Sequence, residues 1–234
     1  MKQKIVVLTG AGISAESGIQ TFRGQDGLWE GHRIEDVASP EGWSKNRELV
    51  LDFYNKRRRQ LHDVEPNAGH KALVELEQKY EVTIITQNVD DLHERAGSSN
   101  IIHLHGELFK VRSSLDELLV YEWRKDLNID DKCERGSQLR PHIVWFGEMV
   151  PMIAVAQEVA SQADIFIVIG TSLVVYPAAG LLHYAPRDSR KFLIDPFADS
   201  LGTSGVPNLR TIAAPATRGV PDVVRLLMDE ADGL

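Results

Sequence analysis

The sequence predicts an α/β protein: a Rossmann-like, doubly wound parallel sheet carrying a small second lobe formed by two insertions. Three observations predict it. Short, continuously apolar runs recur along the chain with helical patterns between them, as in strands covered by helices on both faces. The first run empties into Gly10, Gly12 and Ala15, the G-x-G-x-x-G/A spacing of a dinucleotide phosphate loop at a strand-to-helix turn. Two stretches, 31–65 and 108–140, break the alternation.

The elements follow in order. KIVVL (4–8) is the first core strand. The fingerprint would bring the next strand within about 30 residues, yet it arrives only with VTIIT at 82–86, after tryptophans, charges and helical patterns at 48–61 and 67–79. Further strands are IIHLH (101–105), HIVWF (142–146), DIFIVIG (164–170), KFLID (191–195) and LRTIA (209–213). Helical patterns cover 150–161, 177–184 and 221–229. Strand, helix, strand in alternation gives a mostly parallel sheet. Residues 1–30, 66–107 and 141–234 then make the dinucleotide-binding domain. Residues 31–65 (helical) and 108–140 (polar and poorly periodic) make the small lobe, over the strand ends where open α/β sheets bind ligands.

The chain has 234 residues, 43% of them hydrophobic, enough for one large core and a satellite lobe. The N-terminal apolar run is too short for a signal segment or a membrane span, so a soluble, cytoplasmic protein with no membrane partner is expected. A net charge of −8 argues against nucleic acid and suits basic protein tails. Cys133 is the only cysteine, which excludes an internal disulfide and a cysteine zinc cage.

Several motifs carry chemistry. The small residues of the first loop allow a backbone to approach a pyrophosphate, and the following helix N-terminus would supply N–H groups. No Lys stands in the G-K-[ST] position, so it is not a nucleoside triphosphate loop. Phe22 and Arg23 could fold over a bound dinucleotide. Gln87, Asn88 and Asp90 follow the second core strand. They suit amide and hydroxyl recognition, or else strand-end turn chemistry with an N-cap for a helix over 90–95. His103 and His105 are two apart, a possible metal pair, but no third ligand is evident nearby and Glu107 is a single carboxylate. His105, before a Gly at a strand end, is placed to project into the cleft, and an imidazole is a natural base near neutrality. His103 reads as structural. Gly170, Thr171 and Ser172 form a second small-residue loop, for phosphate or ribose or simply a turn. Asp195 could accept from ribose hydroxyls and would repel a 2′-phosphate, favouring NAD over NADP. Tyr54 and Arg57 share a helix face at i and i+3, and an Arg fork with a Tyr hydroxyl suits a carboxylate. The alternative is a solvated charged face, since Arg57 lies in KRRR (56–59).

Together GAGISAESGI…FRG, TQNVDDLHERAG, HLHGE, FGE, GTSLVVYPAA and APAT, spread over residues 10–217, resemble the sirtuins, NAD-dependent protein lysine deacylases. Tyr54 and Arg57 resemble the bacterial branch related to the animal mitochondrial desuccinylase. The resemblance implies NAD as co-substrate and acyl-lysine proteins or peptides as partners. In the family the acyl carbonyl oxygen attacks the nicotinamide ribose as nicotinamide leaves. The equivalent of His105 then removes a proton from a ribose hydroxyl, which attacks the alkylamidate. Free lysine and O-acyl-ADP-ribose result.

By the same resemblance His105, Asn88 and Asp90 are catalytic. Gly10, Ala11, Gly12, Ser14, Ala15, Glu16, Phe22, Arg23, Trp29, Gln87, Val89, Gly170, Thr171, Ser172, Asp195, Pro196, Phe197 and Ala216 join Asn88 and Asp90 in holding the cofactor. Val144, Phe146, Gly147, Glu148, Val174 and Tyr176 flank the substrate, clamped as an added strand by 146–148 and 173–177. Tyr54 and Arg57 would select an acyl chain ending in a carboxylate, and Ala38 would leave room for it. Three departures stand out. Most members carry four zinc cysteines in the segment equivalent to 108–140, so no structural zinc is expected here. Leu118, Leu119, Tyr121 and Trp123 would pack in its place, or the module would be partly mobile. Gln20-Thr21 replaces a usual Pro-Asp, and Asp195 a usual Asn. Three other readings share features of this cleft: a non-catalytic NAD or ADP-ribose binding module, a mono-ADP-ribosyltransferase, and a metal-dependent hydrolase.

Overall fold

Every side chain of β1 (Lys4–Thr9) from Val6 onward is buried, and Ile5 with them, as a strand covered on both faces requires. The computed structural model in which this is seen describes residues 2–21, 28–29 and 31–233. Phe22 and Arg23 lie outside the described residues. The helix expected after the glycine fingerprint is replaced by two 3-10 turns, Ala11–Ile13 and Ala15–Ser17, closed by Gly18 at φ 98°. A left-handed residue ends a helical run, and here it does so after a single turn.

The short hairpin β2 (Leu28–Trp29) and β3 (His32–Arg33) leads into α1 (Ile34–Val37), α2 (Pro40–Lys45) and α3 (Arg47–Asp63). Ser39 Oγ caps α2 by accepting from Gly42 N–H at 3.0 Å, and Asn46 Oδ1 caps α3 through Leu49 N–H at 3.0 Å. The chain continues through α4 (Ala68–Leu76), β4 (Glu81–Thr86), α5 (Leu92–Ala96), β5 (Ile101–His103), β6 (Gly106–Ser113), β7 (Val120–Glu122) and β8 (Leu139–Ile143). Then come α6 (Ile153–Ser161), β9 (Ile165–Ile169), a 3-10 stretch at Ala178–His183, β10 (Arg190–Ile194), β11 (Leu209–Ile212) and α7 (Ala216–Asp232).

The six-stranded sheet has the order β11-β10-β9-β1-β4-β5, with every neighbouring pair parallel. Alternation along each strand splits the core into two layers. Ile5, Val7, Ile84 and Ile167 face α4 and α7. Val6, Leu8, Ile85, Phe166 and Val168 face α6 and the 178–185 segment. From β1 the chain proceeds to β4 and β5 on one side, and returns to β9 on the other. That reversal beside β1 opens a crevice outside the strand carboxyl ends.

The second insertion is more ordered than its polarity predicts. Residues 106–143 hold a three-stranded antiparallel sheet, β7-β6-β8. The strand expected at 142–146 is β8 of this sheet and ends at Ile143, so it is not part of the parallel sheet. Val111, Leu127, Cys133, Leu139 and Ile143 pack in one cluster with Val50, Phe53, Tyr54 and Leu61 of α3. Leu119, Tyr121 and Trp123 pack against that cluster, whereas Leu118 is 91% exposed. Two other expectations shift. The 177–184 pattern is 3-10, and α7 begins at Ala216 and carries Pro221 inside it. Among the described residues no helix is long and apolar enough to cross a membrane.

Candidate active site

The carboxyl ends of β1 and β9 are pressed together by glycine. Gly12 N–H donates to Gly170 O at 2.8 Å, and Gly10 N–H to Ile169 O at 3.0 Å. A β-carbon on Gly12 would stand 2.5 Å from Gly170 Cα, and Gly170 itself has φ 60°. No other residue fits either place. The two loops therefore form one floor, and above it opens a cleft of about 490 Å³ that runs on to α3 and the 143–148 segment.

A buried polar cluster underlies the floor. Ser14 Oγ donates to Asp90 Oδ2 at 3.0 Å and accepts from Asn88 Nδ2 at 3.2 Å; that amide also reaches Gly10 O at 3.2 Å. Asp90 Oδ1 accepts from Leu92 N–H at 3.2 Å, the turn bond that the strand-end reading of this motif proposed. Burial raises the Asp90 pKa to about 6, against the bonds from Leu92 and Ser14. His70 and His93, both buried, stack edge to face behind it with ring centroids 4.9 Å apart.

His105 and His103 part company. β5 ends at His103, whose Nε2 lies 2.6 Å from Glu94 Oε1. Glu94, His103 and Glu107 bring ligand atoms within 4.8 Å of one another, so a third potential metal ligand, Glu94, does lie nearby. Those atoms are already engaged, Glu94 with His103 and Glu107 with Lys110 at 2.8 Å. His105 instead lines the cleft, with Nδ1 3.0 Å from Gln87 O. A carbonyl only accepts, so Nδ1 carries the proton and Nε2 keeps its lone pair. Burial lowers the His105 pKa, countered in part by the Gln87 bond, so the ring is neutral at pH 7.

Residues 10–177 match the Sir2 family. The chain belongs to that family. An NAD-dependent protein deacylase of Helicobacter pylori (strain ATCC 700392 / 26695) is 57% identical over 230 residues, 98% of this chain and 99% of that protein. A solved Sir2 homologue mutant in complex with ADP-ribose superposes with a TM-score of 0.89 at 40% identity, covering 99% of this chain and 94% of that one. A Sir2 homologue–NAD complex gives 0.87 at 40%, covering 98% and 91%.

In this Sir2 protein most residues singled out from the sequence meet in the one cleft. Gly10, Ala11, Gly12, Ala15, Glu16, Trp29, Gln87, Asn88, Val89, Asp90, Gly170, Thr171, Ser172, Asp195, Pro196 and Phe197 line it, with Ala38, Tyr54, Arg57, Val144, Phe146, Gly147, Glu148 and Tyr176. Ser14 is buried beneath the wall, Val174 is 70% exposed, and Pro215 rather than Ala216 reaches the lining. Glu16 ties the first loop to α7 through Thr217 N–H at 3.0 Å and Thr217 Oγ1 at 2.7 Å. Gln87 Nε2 donates to Thr171 Oγ1 at 3.1 Å, joining the two sides of the floor. The Glu148 carboxylate is taken up by Arg140 at 2.7 and 3.1 Å and by Arg112 at 3.3 Å. Gln60 and Leu61 also line the cleft and were missed in the sequence; they stand three and four residues beyond Arg57 on the same helix face. Trp145 was missed too.

The buried imidazoles set a pH dependence of stability. Burial lowers the His70 pKa to about 4 and His93 well below its ordinary value. Between pH 6.5 and about 4 the unfolded chain binds a proton at His70 and the folded protein does not, so stability falls with falling pH by up to about 1.4 kcal/mol per unit from that ring, and His93 acts in the same direction. Asp90 and Asp91, raised by burial, oppose this by binding protons in the folded state; His105 and His142, lowered by burial, reinforce it. Melting temperature is expected to decline from pH 7 to pH 5, and a flat profile would contradict the neutral burial of the pair.

Proposed function

We propose that this NAD-dependent protein deacylase prefers acyl-lysines ending in a carboxylate, such as succinyl or malonyl, while retaining deacetylation, and releases nicotinamide and O-acyl-ADP-ribose. The observation that carries the reading is continuity. One cleft joins the paired glycine loops to His105, and His105 to Tyr54 and Arg57 on α3.

The donor set fits NAD. Small residues at Gly10, Ala11 and Gly12, with Thr171 and Ser172, suit a diphosphate that approaches backbone closely. Asp195 is 4% exposed, and its Oδ1 accepts from Phe197 N–H at 2.9 Å, which leaves the other oxygen for a ribose hydroxyl. A carboxylate there repels a 2′-phosphate, so NAD is preferred to NADP. When bound, NAD supplies a ribose carbon with nicotinamide as its leaving group.

The chain's own residues do the rest. His105 Nε2 takes a proton from a ribose hydroxyl, and its Nδ1–H, held on Gln87 O, stabilises the imidazolium that results. Asn88 and Asp90, fixed by Ser14, hold the nicotinamide ribose side. The peptide enters as an added strand between 146–148 and 173–177; Phe146 and Tyr176 are 46% and 73% exposed at its rim. Zinc does not fit the small lobe. Cys133 is the single thiol, and its Sγ meets a hydroxyl, Ser137 Oγ, at 3.0 Å.

The test is a panel of acetyl-, malonyl- and succinyl-lysine peptides, with and without NAD, followed by nicotinamide release and free lysine. Turnover is expected only with NAD, and with higher kcat/KM on the acidic acyl groups. A pure binding module would turn over none of them, and an ADP-ribosyltransferase would label protein without freeing lysine.

A further inference from the structure

Trp145 sits beside Tyr54 at the acyl end of the cleft. It is 2% exposed, and its indole Nε1 donates to Tyr54 Oη at 3.0 Å. An indole N–H can only donate, so the Tyr54 oxygen is the acceptor and one of its lone pairs is engaged. Among the described residues no other hydrogen bond reaches that oxygen, which leaves the phenol proton for whatever enters the cleft. Tyr54 is fully buried, and burial raises its pKa well above the usual phenol range. The proton stays on at any working pH.

Trp145 is itself held on several sides. Its backbone N–H donates to Glu148 Oε2 at 2.8 Å. The Arg140 guanidinium lies over its ring, Cζ 3.3 Å from the centroid, while forking onto both Glu148 oxygens. Trp43 packs against it at 5.8 Å between centroids. A side chain this constrained holds its donor in one direction.

We infer that Trp145 is a positioning residue for acyl recognition. By taking one lone pair of the Tyr54 oxygen, its indole biases that hydroxyl toward donating and so tunes this end of the cleft to acyl groups that end in an acceptor. The inference rests on the carboxylate reading of Tyr54 and Arg57 given above. A phenol with both lone pairs unengaged can turn to meet a donor or an acceptor. With one lone pair already taken by the indole, its proton is the more favourable contact left to offer. A terminal ammonium or other donor-only group then meets a donor beside a guanidinium, which excludes the wrong chain end as well as welcoming the right one.

The test compares kcat and KM on succinyl- and acetyl-lysine peptides for wild type, Trp145→Phe, Tyr54→Phe and the double variant. Trp145→Phe keeps an aromatic ring and removes the donor. The succinyl-to-acetyl ratio of kcat/KM is expected to fall about tenfold, through KM, because an oriented hydrogen bond to a charged group is worth about that much. Tyr54→Phe should then lower the ratio far less in the Trp145→Phe background than in wild type. Benzothienylalanine at position 145, with sulfur in place of the N–H on the same ring shape, decides by the same ratio if the phenylalanine protein does not fold. An unchanged ratio in these variants, while Tyr54→Phe alone lowers it, overturns the inference and leaves the carboxylate reading standing. A ratio indifferent to Tyr54→Phe as well removes that reading, and the inference with it.

Discussion

Replacing His105 by tyrosine is expected to lower deacylation by two to four orders of magnitude, roughly what a positioned general base contributes, while the protein stays folded. Among the described residues the ring is the one imidazole that lines the cleft, and its Nδ1–H bond to Gln87 O leaves Nε2 as a bare acceptor. A phenol cannot reproduce this, since it holds its own proton near neutrality. The fold should survive because that single bond to a carbonyl is the polar contact the side chain makes among the described residues. The buried imidazoles His70 and His93 are left untouched. The pH profile gives an independent check. The competent form is the neutral ring, and burial lowers its pKa, so the acid limb of kcat/KM should lie below the ordinary imidazole range. Substantial turnover in the variant, or an acid limb above pH 7, would assign the base elsewhere.

The fold was legible wherever burial is apolar. β1, β4, β9 and β10 are sandwiched between two helical layers, so their side chains need no polar face and the runs stand out. The small sheet was hidden for the opposite reason. Arg112 and Arg140 are 6% and 8% exposed and share the Glu148 carboxylate, so β6 and β8 bury charges that in a bare sequence read as loop. His105 and the Asn88–Asp90 pair were legible because strand ends put short motifs at a known edge of the sheet. The α3 wall of the cleft was only half legible. Tyr54 and Arg57 share a helical period, but Trp145 reaches Tyr54 from 91 residues away, through a contact that no local pattern encodes. The two 3-10 turns after Gly10 escaped for a similar reason. What shapes that loop is the backbone of Gly170, brought alongside by the pairing of β1 with β9.

Replacing Arg57 by methionine is expected to change which acyl group the enzyme prefers. The guanidinium lies over the Phe53 ring, Cζ 3.4 Å from the centroid, and 5.2 Å from that of Trp29, with Nη1 donating to Phe53 O at 2.8 Å. Methionine keeps an unbranched apolar stem against those rings and removes the charge and the fork. A carboxylate held bidentately loses two charge-assisted bonds, so the succinyl-to-acetyl ratio of kcat/KM should fall about a hundredfold, chiefly through KM. An acetyl group has no carboxylate to lose, and the proton transfer at His105 is shared by both substrates. Lysine at 57 is the sharper control, because it restores the charge without the planar fork and should recover only part of the ratio. If Arg57 were simply part of the packing of α3 against β2, both substrates would suffer together and the ratio would hold. A constant ratio across methionine and lysine would therefore return KRRR to the role of a charged helix face.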